Sequence, residues 1–133
     1  MTFNVTAYEH IGIRVSQRER SIRFYEALGW VEKIDLPEHH ANEMINASGV
    51  YINLIFNGIS QQDAKNVLQD DSIKYPGMTH AAFIVDDLDA LMNKLKQENI
   101  PITDGPHIYS NRRKLIFIRD PDGNVLEFNE ILK

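Results

Sequence analysis

A chain of 133 residues has room for one domain, or for two small half-domains fused around a shared core. Its 43% hydrophobic and 25% charged residues are ordinary for a soluble globular protein, and a net charge of -5 offers no basic field to nucleic acid or anionic lipid, so neither is expected as a partner. Without cysteine there is no disulfide framework, thiolate nucleophile or thiolate metal site. No apolar run approaches the roughly 20 residues that cross a bilayer. Residues 1–6 lack the basic start and apolar stretch of a signal peptide, so the expected setting is the cytoplasm, with no membrane.

Residues 8–15 (YEHIGIRV) read as a strand, with Ile11, Ile13 and Val15 on one face and Tyr8, His10, Gly12 and Arg14 on the other. Ser16 followed by Glu19 has the spacing of a capping box, and Ile22, Tyr25 and Leu28 mark the buried stripe of a helix that Gly29 ends. Residues 30–34 read as a second strand, and residues 35–42, with Pro37 and His39-His40, as a polar loop. Two more strands, 43–47 and 50–56, meet at a tight turn at Ser48-Gly49. The first module is thus β-α-β-β-β over about residues 5–57. Residues 58–77 read as a polar linker, with room for a short helix over 63–68.

The second module, about residues 78–133, repeats the first. Residues 79–85 form a strand whose Ala81, Phe83 and Val85 oppose His80, Ala82 and Ile84. Asp86 or Asp87 caps a helix with Leu88, Leu91, Met92 and Leu95 along one stripe, ending at Asn99. A short strand at 100–102, a turn at Asp104-Gly105-Pro106, and strands over 114–118 and 125–130 follow. His10 and Val15 match His80 and Val85 at a separation of 70, and the strand starting at Tyr51 matches that starting at Val125 at a separation of 74. The expected fold is α+β: two tandem βαβββ modules forming a curved mixed sheet around a concave site.

The last stretch, Asp120-Pro121-Asp122-Gly123-Asn124-Val125-Leu126-Glu127-Phe128, runs from a strong turn signal into an apolar strand with a carboxylate in its middle. A carboxylate flanked by Leu126 and Phe128 needs a partner, because an isolated charge is costly to desolvate. Lys or Arg across the sheet is one candidate, and a metal ion held with histidines is the other. Alternation places His10, His80, Asn53 and Glu127 on the faces away from the helices. Two imidazoles and one carboxylate on strands form a set that suits divalent first-row metals and leaves coordination positions open.

At these residues the sequence resembles the vicinal oxygen chelate superfamily, which includes glyoxalase I, fosfomycin-resistance and bleomycin-resistance proteins, methylmalonyl-CoA epimerase and extradiol dioxygenases. The resemblance rests on His10 opening HIGIRV, on SIRFYEALGW, on His80 in PGMTHAAFIVDDLDAL, and on DPDGNVLEF, and it spans nearly the whole chain. It implies metal ligands at His10, His80 and Glu127, with Glu127 the catalytic carboxylate, and a divalent ion drawn from Fe2+, Mn2+, Ni2+, Co2+ and Zn2+. The position filled by Glu or Gln in glyoxalase-like and epimerase-like members falls on Asn53, which cannot shuttle a proton. That departure points to dioxygenase-like or transferase-like chemistry on a small molecule rather than to glyoxalase I chemistry. The alternative is a metal-free protein that binds a drug or metabolite, as bleomycin-resistance proteins do. The resemblance also implies a homodimer.

Around this set, Asn53, Arg14, Tyr51 and Arg113 are the expected substrate-binding residues, Arg14 pairing either with a substrate anion or with an acid of the chain. Arg112-Arg113-Lys114 is the only basic cluster and reads equally as a solvated strand start or an anion contact. His39-His40 and His107 read as surface residues, and the acidic residues 86–89 as the favoured charges of a helix N-terminal turn.

Overall fold

A computed structural model describes residues 1–133. The chain divides into two compact units, Met1–Ile59 and Ser60–Lys133. Each carries a four-stranded mixed sheet. In the first unit the elements are β1 (His10–Arg14), α1 (Arg18–Ala27), β2 (Val31–Leu36), β3 (Ala41–Ile45) and β4 (Tyr51–Ile55), in sheet order β1-β4-β3-β2. In the second they are α2 (Val67–Asp70), β5 (His80–Ile84), α3 (Leu88–Gln97), β6 (Ile102–Tyr109), β7 (Arg113–Arg119) and β8 (Val125–Ile131), in sheet order β5-β8-β7-β6. The architecture is the expected α+β pair of βαβββ modules. None of the helices is long and apolar enough to cross a membrane.

The duplication is visible in the pairing. In both units the first strand runs parallel to the last, with His10 opposite Tyr51 and His80 opposite Val125, which reproduces the separations of 70 and 74. In the first unit the helix-side face buries Ile13, Met44, Ile52 and Leu54 with Tyr25 of α1, whose ring stands edge-on to Trp30 at 6.3 Å. In the second, Ile116, Ile118, Leu126 and Phe128 are buried with Leu88 and Leu95 of α3. Alternation leaves the other face of each sheet to His10, Tyr51 and Asn53, and to His80, Phe117 and Glu127.

The turn into the last strand is also duplicated. Asp120 Oδ1 accepts from the backbone N–H groups of Asp122 at 3.0 Å and Asn124 at 2.9 Å, and Asn46 Oδ1 accepts from those of Ser48 at 3.0 Å and Val50 at 2.9 Å. Gly123, at φ +85°, is required there, because a Cβ would run into the carbonyl oxygen of Ala64.

Several boundaries differ from the sequence reading, each for a local reason. The helix α1 starts after Gln17, which makes no side-chain cap, and the Ser16 hydroxyl accepts instead from Arg20 at 3.2 Å. Strands β2 and β3 extend into the region read as loop, with only a 3-10 turn at Pro37–His39 between them. Asn42 is thereby a fully buried strand residue: its amide donates to Glu32 Oε2 at 2.8 Å and accepts from the Leu54 N–H at 2.9 Å. Burial pushes Glu32 up, but the hydrogen bonds from Asn42 and Arg18 outweigh it and hold the carboxyl below its usual value. The linker helix lies at Val67–Asp70, capped by the Asn66 side chain, rather than at 63–68. The turn read at Asp104-Gly105-Pro106 lies inside β6, where the Gly105-Pro106 bond is cis.

Candidate functional site

In the second unit, His80 opens β5 and Glu127 sits in the middle of β8, the neighbouring strand. The His80 Nε2 and Glu127 Oε1 atoms face each other at 3.1 Å. Glu127 is only 8% exposed, and no Lys or Arg pairs with it, which answers the question that its flanking Leu126 and Phe128 raised. Its other oxygen, Oε2, accepts from the Asn129 amide at 2.6 Å. His80 Nδ1 lies 2.8 Å from Thr79 Oγ1, and its ring stands edge-on to Phe117 at 5.3 Å. The Thr79 hydroxyl can donate to Nδ1 when Nε2–H donates to Glu127, or accept from Nδ1–H when the Nε2 lone pair is turned to a cation between the two side chains.

This pair suits a divalent cation. One nitrogen and one carboxylate oxygen converge, and the remaining polar atom of each side chain is held by a neighbour, as outer partners of metal ligands usually do. A hollow of about 280 Å³ lies beside it, with His80, Gln69, Asp104, Phe117 and Arg119 in its wall. Arg119 binds both carboxylate oxygens of Asp70, at 2.8 and 2.9 Å. That bidentate bond, helped by the Asn66 N–H, holds the Asp70 carboxyl down at about 2.

In the first unit, His10 Nδ1 lies 2.9 Å from Glu9 Oε1. With Glu9, Glu43, Tyr51 and Asn53 it lines a hollow of about 300 Å³. Asn53 stands opposite Gly12 in the ladder and Tyr51 opposite His10. Lys33, missed by the sequence reading, donates to the Tyr51 hydroxyl at 2.6 Å, and this bond keeps its ammonium above the usual value. It lies at the register shift between Glu32 and Ile34, where a bulge re-aims a side chain. No sequence signal marks such a bulge.

Within each unit, no three His, Cys, Asp or Glu side chains are grouped closely enough to hold a metal ion. The second unit brings together two members of the expected set, His80 and Glu127, and the first holds His10 with Tyr51 and Asn53. Arg14 Nε donates to Asn57 Oδ1 at 2.9 Å. Arg113 is exposed at the start of β7, and the neighbouring Lys114 pairs with Asp89 at 3.1 Å. His107 bonds Asp104 at 2.7 Å. Asn129 and Thr79 were missed as site residues, although alternation already put Asn129 on the face of Glu127.

The chain is similar to known proteins over nearly its whole length. The model of the Glyoxalase/Bleomycin resistance protein/Dioxygenase superfamily matches residues 7–128. The chain is 29% identical over 127 residues to the metallothiol transferase FosB of Lysinibacillus sphaericus (strain C3-41), covering 94% of this chain and 82% of that protein. It is 28% identical over 127 residues to a probable trivalent organoarsenical cleaving enzyme of Bacillus subtilis (strain 168), covering 91% and 77%. Its fold is like that of a glyoxalase/dioxygenase from Nostoc punctiforme, at a TM-score of 0.73 and 20% identity, over 99% of this chain and all of that one.

Proposed function

We propose that this chain, which belongs to the glyoxalase/bleomycin resistance protein/dioxygenase superfamily, is a metal-dependent enzyme that binds a small molecule through two neighbouring oxygens and carries out a transferase-like or lyase-like reaction. The observation that carries this reading is Glu127: a buried carboxylate with no Lys or Arg partner, aimed at the Nε2 of His80. In it, His80 and Glu127 of the second unit are two ligands of a divalent ion, and His10, from this chain or from a second copy, completes the ligand set. When bound, such an ion supplies Lewis-acid chemistry to a substrate oxygen.

The chain's own residues supply the rest. Glu127 is the one carboxylate of the ligand set and, in this reading, the catalytic carboxylate, acting through the ion it would hold. Asn53, which can donate and accept hydrogen bonds but moves no proton at neutral pH, orients the substrate. Tyr51, backed by Lys33, offers its hydroxyl to the same hollow, and Arg14 and Arg113 are the cations for a substrate anion. Of the chemistries that Asn53 permits, the relatives named as a metallothiol transferase and an organoarsenical cleaving enzyme support group transfer or bond cleavage over oxygen insertion. The same reading takes the working form to be a cytoplasmic homodimer.

The test is elemental analysis of freshly purified protein, then reloading with Fe2+, Mn2+, Ni2+, Co2+ and Zn2+. About one divalent ion per chain is expected. Absence of binding under every loading would replace this reading with that of a metal-free drug- or metabolite-binding protein.

A further inference from the structure

Asn129 occupies a place that an apolar residue would fill at lower cost. It is 4% exposed, and its Oδ1 is buried without a hydrogen-bond partner. An unsatisfied buried acceptor costs about 1–3 kcal/mol, whereas an apolar side chain of similar shape there would cost nothing of the kind. The first unit makes the comparison directly. The position corresponding to Asn129, at the same separation of 74, is Ile55, and the position corresponding to Glu127 is Asn53. The buried amide therefore occurs where the carboxylate occurs and is replaced by isoleucine where the carboxylate is missing.

What the amide does is set by its one bond. Glu127 and Asn129 are two residues apart on β8 and so share a face. Asn129 Nδ2 donates to Glu127 Oε2 at 2.6 Å, while Oε1 faces His80 Nε2 at 3.1 Å. The opposite amide orientation would set Oδ1 against a carboxylate oxygen, two acceptors with no proton between them, so the donor orientation is fixed by the network. A charge-assisted bond of this length is among the stronger hydrogen bonds. It occupies one lone-pair direction of Oε2 and draws on its charge, which leaves Oε1 the better oxygen for a cation.

We infer that Asn129 is a positioning residue: it holds Glu127 as a one-oxygen ligand directed at His80 Nε2, and so keeps free a coordination position that a two-oxygen carboxylate would fill. The inference rests on the metal-centre reading above. It says which atom of Glu127 binds and why the site retains room for a chelating substrate. To bind evenly through both oxygens, Glu127 would have to share Oε2 between the ion and the Asn129 donor, weakening a 2.6 Å bond of an amide whose acceptor is already buried and unsatisfied.

The experiment is a Co2+ titration of the full chain, followed by visible absorption, for wild type, Asn129→Leu and Asn129→His. The leucine keeps the approximate shape and removes the donor, and the histidine restores an N–H. Thermal melting of each protein without metal reports the fold. Asn129→Leu is expected to bind Co2+ about 10-fold more weakly or worse. Its absorption per bound ion should also be weaker, because a second Glu127 oxygen raises the coordination number. Asn129→His should recover both. Should the leucine variant fail to fold, the histidine variant decides: near-wild-type affinity and spectrum support the inference, and loss of either in a folded protein overturns it. A lower melting temperature for Asn129→Leu with unchanged affinity and spectrum would make Asn129 merely structural and would also overturn the inference. Wild type that binds no Co2+ sinks the metal-centre reading and this inference together, whereas equal binding by wild type and Asn129→Leu sinks only the inference.

Discussion

Asn53 and Glu127 stand at the same place in two sheets of the same strand order, the first beside Gly12 of β1 and the second beside Ala82 of β5. Around them the scaffold is shared: parallel first and last strands, a buried helix-side face, and an Asn or Asp side chain that ties the turn before the last strand. The difference is confined to the open face. There the first unit has an amide beside an isoleucine, and the second has a buried carboxylate beside a buried amide. Elements that decide whether the chain folds have stayed alike in the two units, and residues that can hold an ion have not. The buried Glu127 and Asn129 carry a desolvation cost that Asn53 and Ile55 avoid, so the second unit's face is the one whose residues packing alone does not explain.

Removing each member of the pair is the strongest way to break that comparison. Glu127→Ala and His80→Ala are each expected to abolish stoichiometric metal binding while leaving a cooperative melting transition, because the apolar helix-side core is untouched; Glu127→Ala should melt lower, since it leaves the buried Asn129 amide unpaired. Asn53→Ala, the corresponding change in the first unit, is expected to keep close to the full metal content. Elemental analysis of the three variants, loaded side by side, separates the cases. Full metal in Glu127→Ala would show that the ion is not held by the second unit's carboxylate, and its loss in Asn53→Ala that the first unit's amide is needed as well.

How much of this was legible beforehand depended on whether burial or local chemistry decided the element. The duplication, the separations of 70 and 74, and the faces of His10, His80, Asn53 and Glu127 follow from period-2 alternation, and the ladder registers reproduce them. The stretch 35–42 did not yield to the same approach. Its Pro37 and paired histidines have loop composition, yet Asn42 is a strand residue whose amide takes the place of a missing ladder partner for the Leu54 N–H. Pro106 signalled a turn and lies instead in β6, an edge strand, where a residue without an N–H is tolerated. Alternation puts Asn129 on the face of Glu127, but its tie to Glu127 depends on a side-chain rotamer and on burial, neither of which alternation encodes.

The duplicated turn offers a second, smaller contrast. Asp120 is 4% exposed and accepts three hydrogen bonds, including one from the Asn124 amide at 2.9 Å, with a charged acceptor. Asn46 is half-buried and accepts two with a neutral one. Hydrogen bonds to charged groups are worth more than neutral ones, and buried donors left unpaired add to the loss. Asp120→Ala is therefore expected to destabilise the protein by about 2–3 kcal/mol and Asn46→Ala by about 1 kcal/mol. Urea unfolding of both variants checks the order. Equal losses would mean that the two turns are energetically as alike as they are in geometry.

The Arg119 pair with Asp70 sharpens the comparison most gently, set against the bond from Arg14 to the neutral Asn57 side chain just after the first unit's sheet. Asp70 sits at about 2 in the folded chain, against 3.8 ordinarily. Its folded value is the lower one, so the stability it contributes is fully present above about pH 4 and is lost as the pH falls toward 2. Asp70→Asn removes the charge at every pH. The stability difference between wild type and this variant should be constant from pH 7 to 5, narrow below pH 4 and close near pH 2. Because the pair is largely solvent-exposed, the difference should also shrink with added salt. A carboxyl resonance of Asp70 followed by NMR through the same range gives the midpoint directly, and one near 4 would mean that Arg119 does not hold Asp70 in solution.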